Sequence, residues 1–168
     1  MTRAQQDPQV YALAELVGER LRTLKRSIAV AESCTGGMLG SALTDVPGSS
    51  VYFLGGIIAY ANSAKVKILG VPEAVLSTEG AVSAVTAAAM AGGVREIFGS
   101  DIGISITGVA GPADEEHKPA GLTFIGIANP VPKSVRYQWQ GDRWSNRRES
   151  VLAALQLLAP ELVEIHVY

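Results

Sequence analysis

The sequence has few of the residues on which several common kinds of protein chemistry depend. Its one cysteine, Cys34, excludes an internal disulfide and fits a reducing compartment. The two histidines, His117 and His166, lack the neighbours of a Ser–His–Asp triad, and a structural zinc site would need more cysteines. We therefore expect no metal and no cofactor, and a serine mechanism here would need a base other than histidine.

A basic surface and a long apolar run are also missing. The formal net charge is −2, whereas a nucleic-acid-binding domain usually shows a basic face. No stretch approaches the roughly 20 consecutive apolar residues of a membrane-spanning helix. The polar start of the chain lacks the pattern of a signal peptide. We expect a cytoplasmic protein without a nucleic-acid or membrane partner.

What the sequence does contain is a succession of helical and strand patterns. Its 168 residues, 48% of them hydrophobic, predict a single domain over residues 1–168 with a core from about residue 10 to 165. Helical spacing of apolar residues predicts helices at 10–24, 34–46, 63–70, 82–98 and 151–162, the last kinked or restarted at Pro160. Strand patterns occupy 27–32, 54–61, 101–111, 121–128 and 134–140. This interleaving predicts a three-layer α/β/α domain with a mixed, mostly parallel sheet.

Two candidate nucleophiles, Ser33 and Cys34, follow the first predicted strand directly. Ligands of open α/β sheets gather beyond the carboxyl ends of the strands, and a helix that starts there offers free backbone N–H groups. Gly36 and Gly37 let the backbone approach a ligand closely. The turn therefore suits an oxyanion hole. An ordinary serine N-cap followed by a glycine turn explains the same residues, and spacing alone favours this simpler interpretation.

Motifs of well-known hydrolases and nucleotide-binding enzymes are absent, among them GxSxG, SxxK, HExxH and the phosphate-binding loop GxxxxGK[ST]. A lysine can replace histidine as a base when burial lowers its pKa. Lys65, after the second predicted strand, is one candidate, although a lysine at such a position is more often on the surface. The acidic run at 114–117 is expected to be a solvated loop rather than a metal site.

Five segments occur in an order and spacing that resemble one known family. They are AESCTGG (31–37), GGIIAYANSAKVKILGV (55–71), GAVS (80–83), SITGVAGP followed by KPAG (105–121), and GDRWSNR (141–147). Together they resemble the C-terminal domain of the CinA (competence/damage-inducible) family, from Val10 to the last helix. The chain looks like the stand-alone form, without the molybdopterin-binding-like domain of longer members.

The resemblance implies a nicotinamide-nucleotide amidohydrolase, which converts nicotinamide mononucleotide to nicotinate mononucleotide and ammonia. It makes Ser33 the nucleophile, Lys65 the base and Tyr60 an active-site tyrosine. The oxyanion hole would come from the backbone of Cys34, Thr35, Gly36 and Gly37. A homodimer or larger homo-oligomer is also implied. Two other hypotheses stay open: a non-catalytic nucleotide-binding module, and an enzyme that uses Cys34.

The resemblance also marks residues for substrate binding. Thr107 and Arg147 match positions associated with it, and Arg143 is a weaker candidate for holding the phosphate. Glu32 is expected either to bind a substrate hydroxyl or to cap nearby backbone N–H groups. The chain departs from the family where a glycine-rich run is usual, because it has ADEEH at 113–117. These acids would oppose a phosphate if they lie near it.

Overall fold

The structure is a computed structural model that describes residues 7–162, so His166 lies outside the described residues. Six α-helices, one short 3-10 helix (Ser49–Val51) and five strands make up this part of the chain. The helices are α1 Pro8–Thr23, α2 Met38–Thr44, α3 Asn62–Lys67, α4 Glu73–Thr78, α5 Ala84–Phe98 and α6 Arg143–Glu161. The strands are β1 Ile28–Glu32, β2 Phe53–Ile58, β3 Ile102–Gly108, β4 Leu122–Ala128 and β5 Pro132–Gln138.

The five strands form one mixed sheet in the order β2-β1-β3-β4-β5. Strand β1 is parallel to both β2 and β3, whereas β4 is antiparallel to its two neighbours. Four of the five strands therefore run in the same direction, and the prediction of a mixed, mostly parallel sheet is confirmed. In the parallel part, Glu32 is aligned with Ile58 on one side and Ile106 on the other. The carboxyl ends of three strands consequently meet at one edge of the sheet.

Helices cover both faces of this sheet, as predicted. Alternate residues of β1 belong to different cores, because successive strand side chains point to opposite faces. Val30 joins a core with α1, α2 and α6, and Ala29 and Ala31 join a second core with Met90 of α5. A five-residue strand that is buried at every position reflects this double coverage.

The elements differ in detail from the sequence prediction, and most element ends shift by a few residues. Helix α2 begins at Met38 rather than at 34, because residues 34–37 form a turn. The segment that was expected to be a loop before α5 contains α4. Pro160 lies in the last turn of α6, which ends at the next residue. Within residues 7–162, no helix has the length and apolar character needed to cross a membrane.

Candidate active site

Ser33 begins the turn after β1. It lies at the edge of the sheet where the carboxyl ends of the three parallel strands meet. Its backbone N–H donates to the carbonyl of Ile106 (2.9 Å), which continues the pairing of β1 with β3 by one residue. The chain then bends through Gly36 and Gly37, whose φ angles are 60° and 100°. Both values lie in the left-handed region that glycine adopts without steric cost. The serine side chain is 8% exposed and lines a cavity.

Glu32, the residue before Ser33, is buried and fastens the same turn to α2. Its carboxylate accepts hydrogen bonds from the backbone N–H groups of Gly37 (3.0 Å), Leu39 (3.2 Å) and Gly40 (2.8 Å). Such bonds to a charged acceptor are roughly twice as strong as bonds between neutral groups. The geometry therefore favours the capping role over the predicted contact with a substrate hydroxyl.

Lys65 is buried inside the domain, with 1% of its surface exposed, so it is not the surface lysine that its sequence position suggested. Its Nζ lies 3.2 Å from Ser33 Oγ, 3.0 Å from the carbonyl oxygen of Ala59 and 2.9 Å from that of Tyr60. As an ammonium group, Nζ donates to all three oxygens. As a neutral amine it has two N–H groups for the carbonyls and one lone pair for the serine hydroxyl.

The surroundings of Lys65 favour the neutral amine. Burial lowers the pKa of Lys65 below its ordinary value, because the ammonium form loses its hydration. The carboxylates of Glu116 and Glu115 act in the opposite direction and offset part of the shift in this pKa. A lysine with a lowered pKa beside a serine hydroxyl has the arrangement of a base that activates a nucleophile.

The cavity beside Ser33 has a volume of about 320 Å³. This volume falls within the range of small-molecule sites, about 300–1,000 Å³. Six of the residues that line it are Ser33, Tyr60, Lys65, Thr107, Glu115 and Arg143. The Thr107 hydroxyl donates to the carbonyl of Ala81 (2.8 Å), so it meets a ligand as an acceptor. The structure thus places the predicted nucleophile, base, tyrosine and threonine around one cavity.

The two arginines of α6 that were predicted to bind substrate lie in different surroundings. Arg143 lines the cavity, and its guanidinium donates to the carbonyl of Gly111 (2.7 Å) and to the hydroxyl of Tyr60 (3.2 Å). Arg147 instead donates to the carbonyl of Thr35 (2.8 Å) and is not among the residues that line the cavity. One helical turn separates them, so only the first reaches the cavity. Of the two arginines that were predicted to hold a phosphate, the structure therefore places Arg143 at the cavity.

The four residues that were predicted to form an oxyanion hole differ in whether their backbone N–H groups already have an acceptor. The N–H of Gly37 is bound to Glu32, and that of Gly36 donates to the carbonyl of Ser33 (3.1 Å). Within residues 7–162, no backbone carbonyl accepts a hydrogen bond from the N–H groups of Cys34 and Thr35, and that of Cys34 interacts with its own thiol. These two N–H groups, and not those of the glycines, are thus the candidate donors to a developing oxyanion.

Cys34 is poorly suited to act as the nucleophile. Burial raises the pKa of its thiol to about 12, and the nearby Glu32 carboxylate acts in the same direction. The thiolate is the reactive form of cysteine, so this thiol is almost wholly in its unreactive form at neutral pH. The geometry therefore favours Ser33 over Cys34.

The acidic loop is exposed at each of its residues, as the sequence predicts for a solvated loop, and it also borders the cavity. Glu115 and Glu116 line the same cavity as Ser33 and Lys65. The sequence held one signal for this, because the loop lies between two of the matched segments, SITGVAGP and KPAG. Within residues 7–162, no three His, Cys, Asp or Glu side chains are grouped so that they could hold a metal ion.

Comparisons of the chain with known proteins agree with this architecture. A relative called CinA-like protein from a Synechocystis species is 49% identical over 148 residues, which is 87% of this chain and 36% of the relative. A CinA-like protein from Frankia casuarinae is 52% identical over 135 residues, or 79% of this chain and 31% of the relative. The chain thus spans about a third of the length of the curated relatives it matches.

Solved structures match over nearly their whole length. The competence/damage inducible protein CihA from Agrobacterium tumefaciens superposes with a TM-score of 0.90 at 31% identity, over 95% of this chain and 99% of that one. A CinA superfamily protein from Escherichia coli superposes with a TM-score of 0.87 at 29% identity, over 97% and 96% of the two chains. The family model described as CinA C-terminal domain matches residues 10–162. The chain belongs to the CinA C-terminal domain family.

Proposed function

We propose that the chain is a serine amidohydrolase that hydrolyses the carboxamide of nicotinamide mononucleotide to nicotinate mononucleotide and ammonia. The observation that supports this most is the buried Lys65 amine, 3.2 Å from Ser33 Oγ beside a cavity of about 320 Å³. An amide is a poor electrophile with a poor leaving group, so its hydrolysis needs an activated nucleophile and a proton donor. Ser33 and Lys65 would supply the two.

In the first half of the proposed reaction, Ser33 Oγ attacks the carboxamide carbon and its proton passes to the neutral amine of Lys65. The N–H groups of Cys34 and Thr35 would bind the oxyanion that develops on the carbonyl oxygen. Collapse of the tetrahedral intermediate breaks the C–N bond, and the Lys65 ammonium returns the proton to the leaving nitrogen. The products of this half are ammonia and an acyl ester on Ser33.

In the second half, water attacks the ester carbon and Lys65 again takes the proton. The Ser33 oxygen then leaves as an alcohol with that proton, and nicotinate mononucleotide is released as its carboxylic acid, which loses the remaining proton to solvent. Tyr60 contributes its backbone carbonyl, which orients the Lys65 amine (2.9 Å). Its hydroxyl accepts a hydrogen bond from Arg143, and this pair at the cavity is the best-placed group for the substrate phosphate.

A second candidate function is a nucleotide-binding module without catalysis. The burial of Lys65 is evidence against it, because burying an amine destabilises the fold and ligand binding alone does not require a buried amine. Residence in the cytoplasm and assembly into a homodimer or larger oligomer remain predictions. Light scattering on the purified protein would measure the assembly state.

The test of the proposed function is ammonia release from nicotinamide mononucleotide by the purified protein. Wild type should release ammonia and nicotinate mononucleotide in equal amounts, and Ser33→Ala should release neither. Calorimetric titration of Ser33→Ala with the mononucleotide separates the two candidate functions. Binding by both proteins without turnover by wild type would support the binding module and overturn the amidohydrolase.

A further inference from the structure

The acidic loop, residues 113–117, brings two carboxylates into the candidate active site. Both Glu115 and Glu116 line the cavity that holds Ser33 and Lys65. Glu116 has positive φ (52°), as has the following residue (58°), and the backbones of Glu115 and Lys118 pair across this tight turn by two hydrogen bonds of 3.0 and 2.9 Å. The turn fixes where the two acids project from the loop.

Contacts with the segment between α4 and α5 hold the loop against the cavity. Glu116 Oε2 accepts a hydrogen bond from the N–H of Ala81 (3.0 Å), and Lys118 Nζ donates to the carbonyl of Glu79 (2.7 Å). At the loop's other end, Asp114 Oδ1 accepts from the N–H of Ala120 (2.9 Å). Asp114 itself does not line the cavity.

The two carboxylates differ in how far their charge is compensated. Glu116 has Lys118 Nζ 3.6 Å away, and this lysine is outside the cavity lining. Among residues 7–162 no salt bridge involves the Glu115 side chain, which acts on the Lys65 amine only over a longer distance. Arg143 and Lys65 are the basic side chains in the lining, and burial lowers the pKa of Lys65. The cavity thus combines two carboxylates with one arginine and one lysine near the nucleophile.

We propose that Glu115 and Glu116 select a substrate whose amide is attached to a positively charged ring. This inference rests on the proposed function and deepens it. The ring nitrogen of a nicotinamide nucleotide carries a positive charge because it is bonded to the ribose. A carboxylate that faces such a ring attracts its positive charge. A neutral aromatic amide of the same shape gains nothing from the two acids.

Repulsion of the phosphate is the competing effect of the same two charges. The phosphate has Arg143 and Tyr60 as its candidate partners, whereas the ring must lie near Ser33 if its amide is to react. If the acids faced the phosphate, their removal would strengthen the binding of the mononucleotide. The two effects have opposite signs, so one measurement separates them.

The test measures binding in the Ser33→Ala background, which prevents turnover. Calorimetry gives the dissociation constants of nicotinamide mononucleotide and of benzamide mononucleotide, in which a neutral benzene ring replaces the charged pyridinium ring. Three proteins are compared. The first carries Ser33→Ala alone, the second combines it with Glu115→Gln and Glu116→Gln, and the third combines it with Asp114→Asn only. The last is the matched control, because it removes one negative charge from the same loop but outside the cavity and keeps an oxygen for Ala120. Circular dichroism confirms that all three are folded.

We expect the preference for the charged ligand over the neutral one to fall by about tenfold or more in the double glutamine variant. The control should keep the full preference, and the affinity for the neutral ligand should stay within about twofold throughout. An unchanged preference in the double variant, or tighter binding of the mononucleotide, would overturn the inference. If wild type nevertheless releases ammonia, the proposed function survives that result. A wild type without turnover and a Ser33→Ala protein that binds neither ligand would overturn both.

Discussion

Glu32 and Ser33 are neighbours in the sequence, but their side chains serve different parts of the molecule. The Glu32 carboxylate accepts three backbone N–H groups at the start of α2. The Ser33 hydroxyl reaches Lys65, which belongs to α3. Because side chains alternate in direction at the end of a strand, one residue holds the turn and the next is presented to the cavity. The position of the candidate nucleophile therefore depends on the glutamate before it.

Replacement of Glu32 by alanine should destabilise the fold. Three backbone N–H groups would lose their charged acceptor, and a hydrogen bond to a charged group is worth about 1.5–3 kcal/mol. Allowing for new bonds to water, we expect the free energy of unfolding to fall by roughly 3–5 kcal/mol in urea titrations. Glu32→Gln keeps one acceptor oxygen and should lose less. The exposed Glu15 gives a control, since Glu15→Ala should change stability by less than about 0.5 kcal/mol. A Glu32→Ala protein as stable as this control would contradict the capping role.

Ser33 and Cys34 can be separated by substitution and by thiol labelling. Ser33→Ala should abolish ammonia release, and Cys34→Ala should keep most of it. Because the pKa of the Cys34 thiol is raised to about 12, iodoacetamide at pH 8 should label the folded protein far more slowly than the denatured one. Loss of activity in Cys34→Ala alone, together with fast labelling, would instead identify a cysteine mechanism.

The layered fold could be predicted because its signals are local. β1 is apolar at all positions but the last, and α5 repeats apolar residues at helical spacing, so each pattern indicates its element without knowledge of the rest. The start of α2 could not be predicted in this way. It is set by the Glu32 carboxylate, which binds N–H groups as far as eight residues ahead. α4 was missed because it ends in Ser77 and Thr78 and is followed by Gly80, which are residue types typical of a loop.

The candidate site was predictable only in part, and mostly through the resemblance to a family. The burial of Lys65 depends on where α3 packs, which its own sequence does not reveal. Arg143 and Arg147 are one turn apart on a helix, and their different partners, Gly111 and Thr35, lie 32 and 112 residues away in the chain. Contacts of this range depend on the tertiary structure, so the sequence does not reveal that Arg143 lines the cavity and Arg147 does not.

Two adjacent glycines of α5 should respond differently to alanine. A Cβ on Gly93 would lie 1.9 Å from the carbonyl oxygen of Leu69, whereas one on Gly92 would meet only Pro132, at 3.3 Å. We expect Gly93→Ala to lower the free energy of unfolding by about 1–3 kcal/mol or more, through overpacking against backbone. Gly92→Ala gains helix propensity of up to about 1 kcal/mol and should be close to neutral. Equal stabilities in urea titrations would contradict the close approach of α5 to Leu69.

Lys65 should give the reaction a pH dependence of known sign. The neutral amine is required, so activity should rise with pH through a lysine pKa that burial has lowered. Lys65→Arg should be inactive at every pH that the fold survives, because a guanidinium stays protonated. Steady-state rates measured across the pH range test both statements. An arginine variant within a few-fold of wild type would exclude Lys65 as the base.

The carboxylates of the acidic loop should influence the pH at which the activity rises. Glu116 and Glu115 stabilise the Lys65 ammonium and so raise the lysine pKa against the larger effect of burial. Their replacement by glutamine should lower that pKa further and move the rise in kcat to lower pH. Other ionisable groups near Lys65, namely Cys34, Tyr60 and Arg143, are unchanged in the variant, and Asp114→Asn outside the cavity should leave the profile in place. Because kcat reports the enzyme–substrate complex, the shift should persist at saturating substrate, where weaker binding no longer affects the rate. A profile that stays in place, or that moves to higher pH, would show that the two acids do not act on the amine of Lys65.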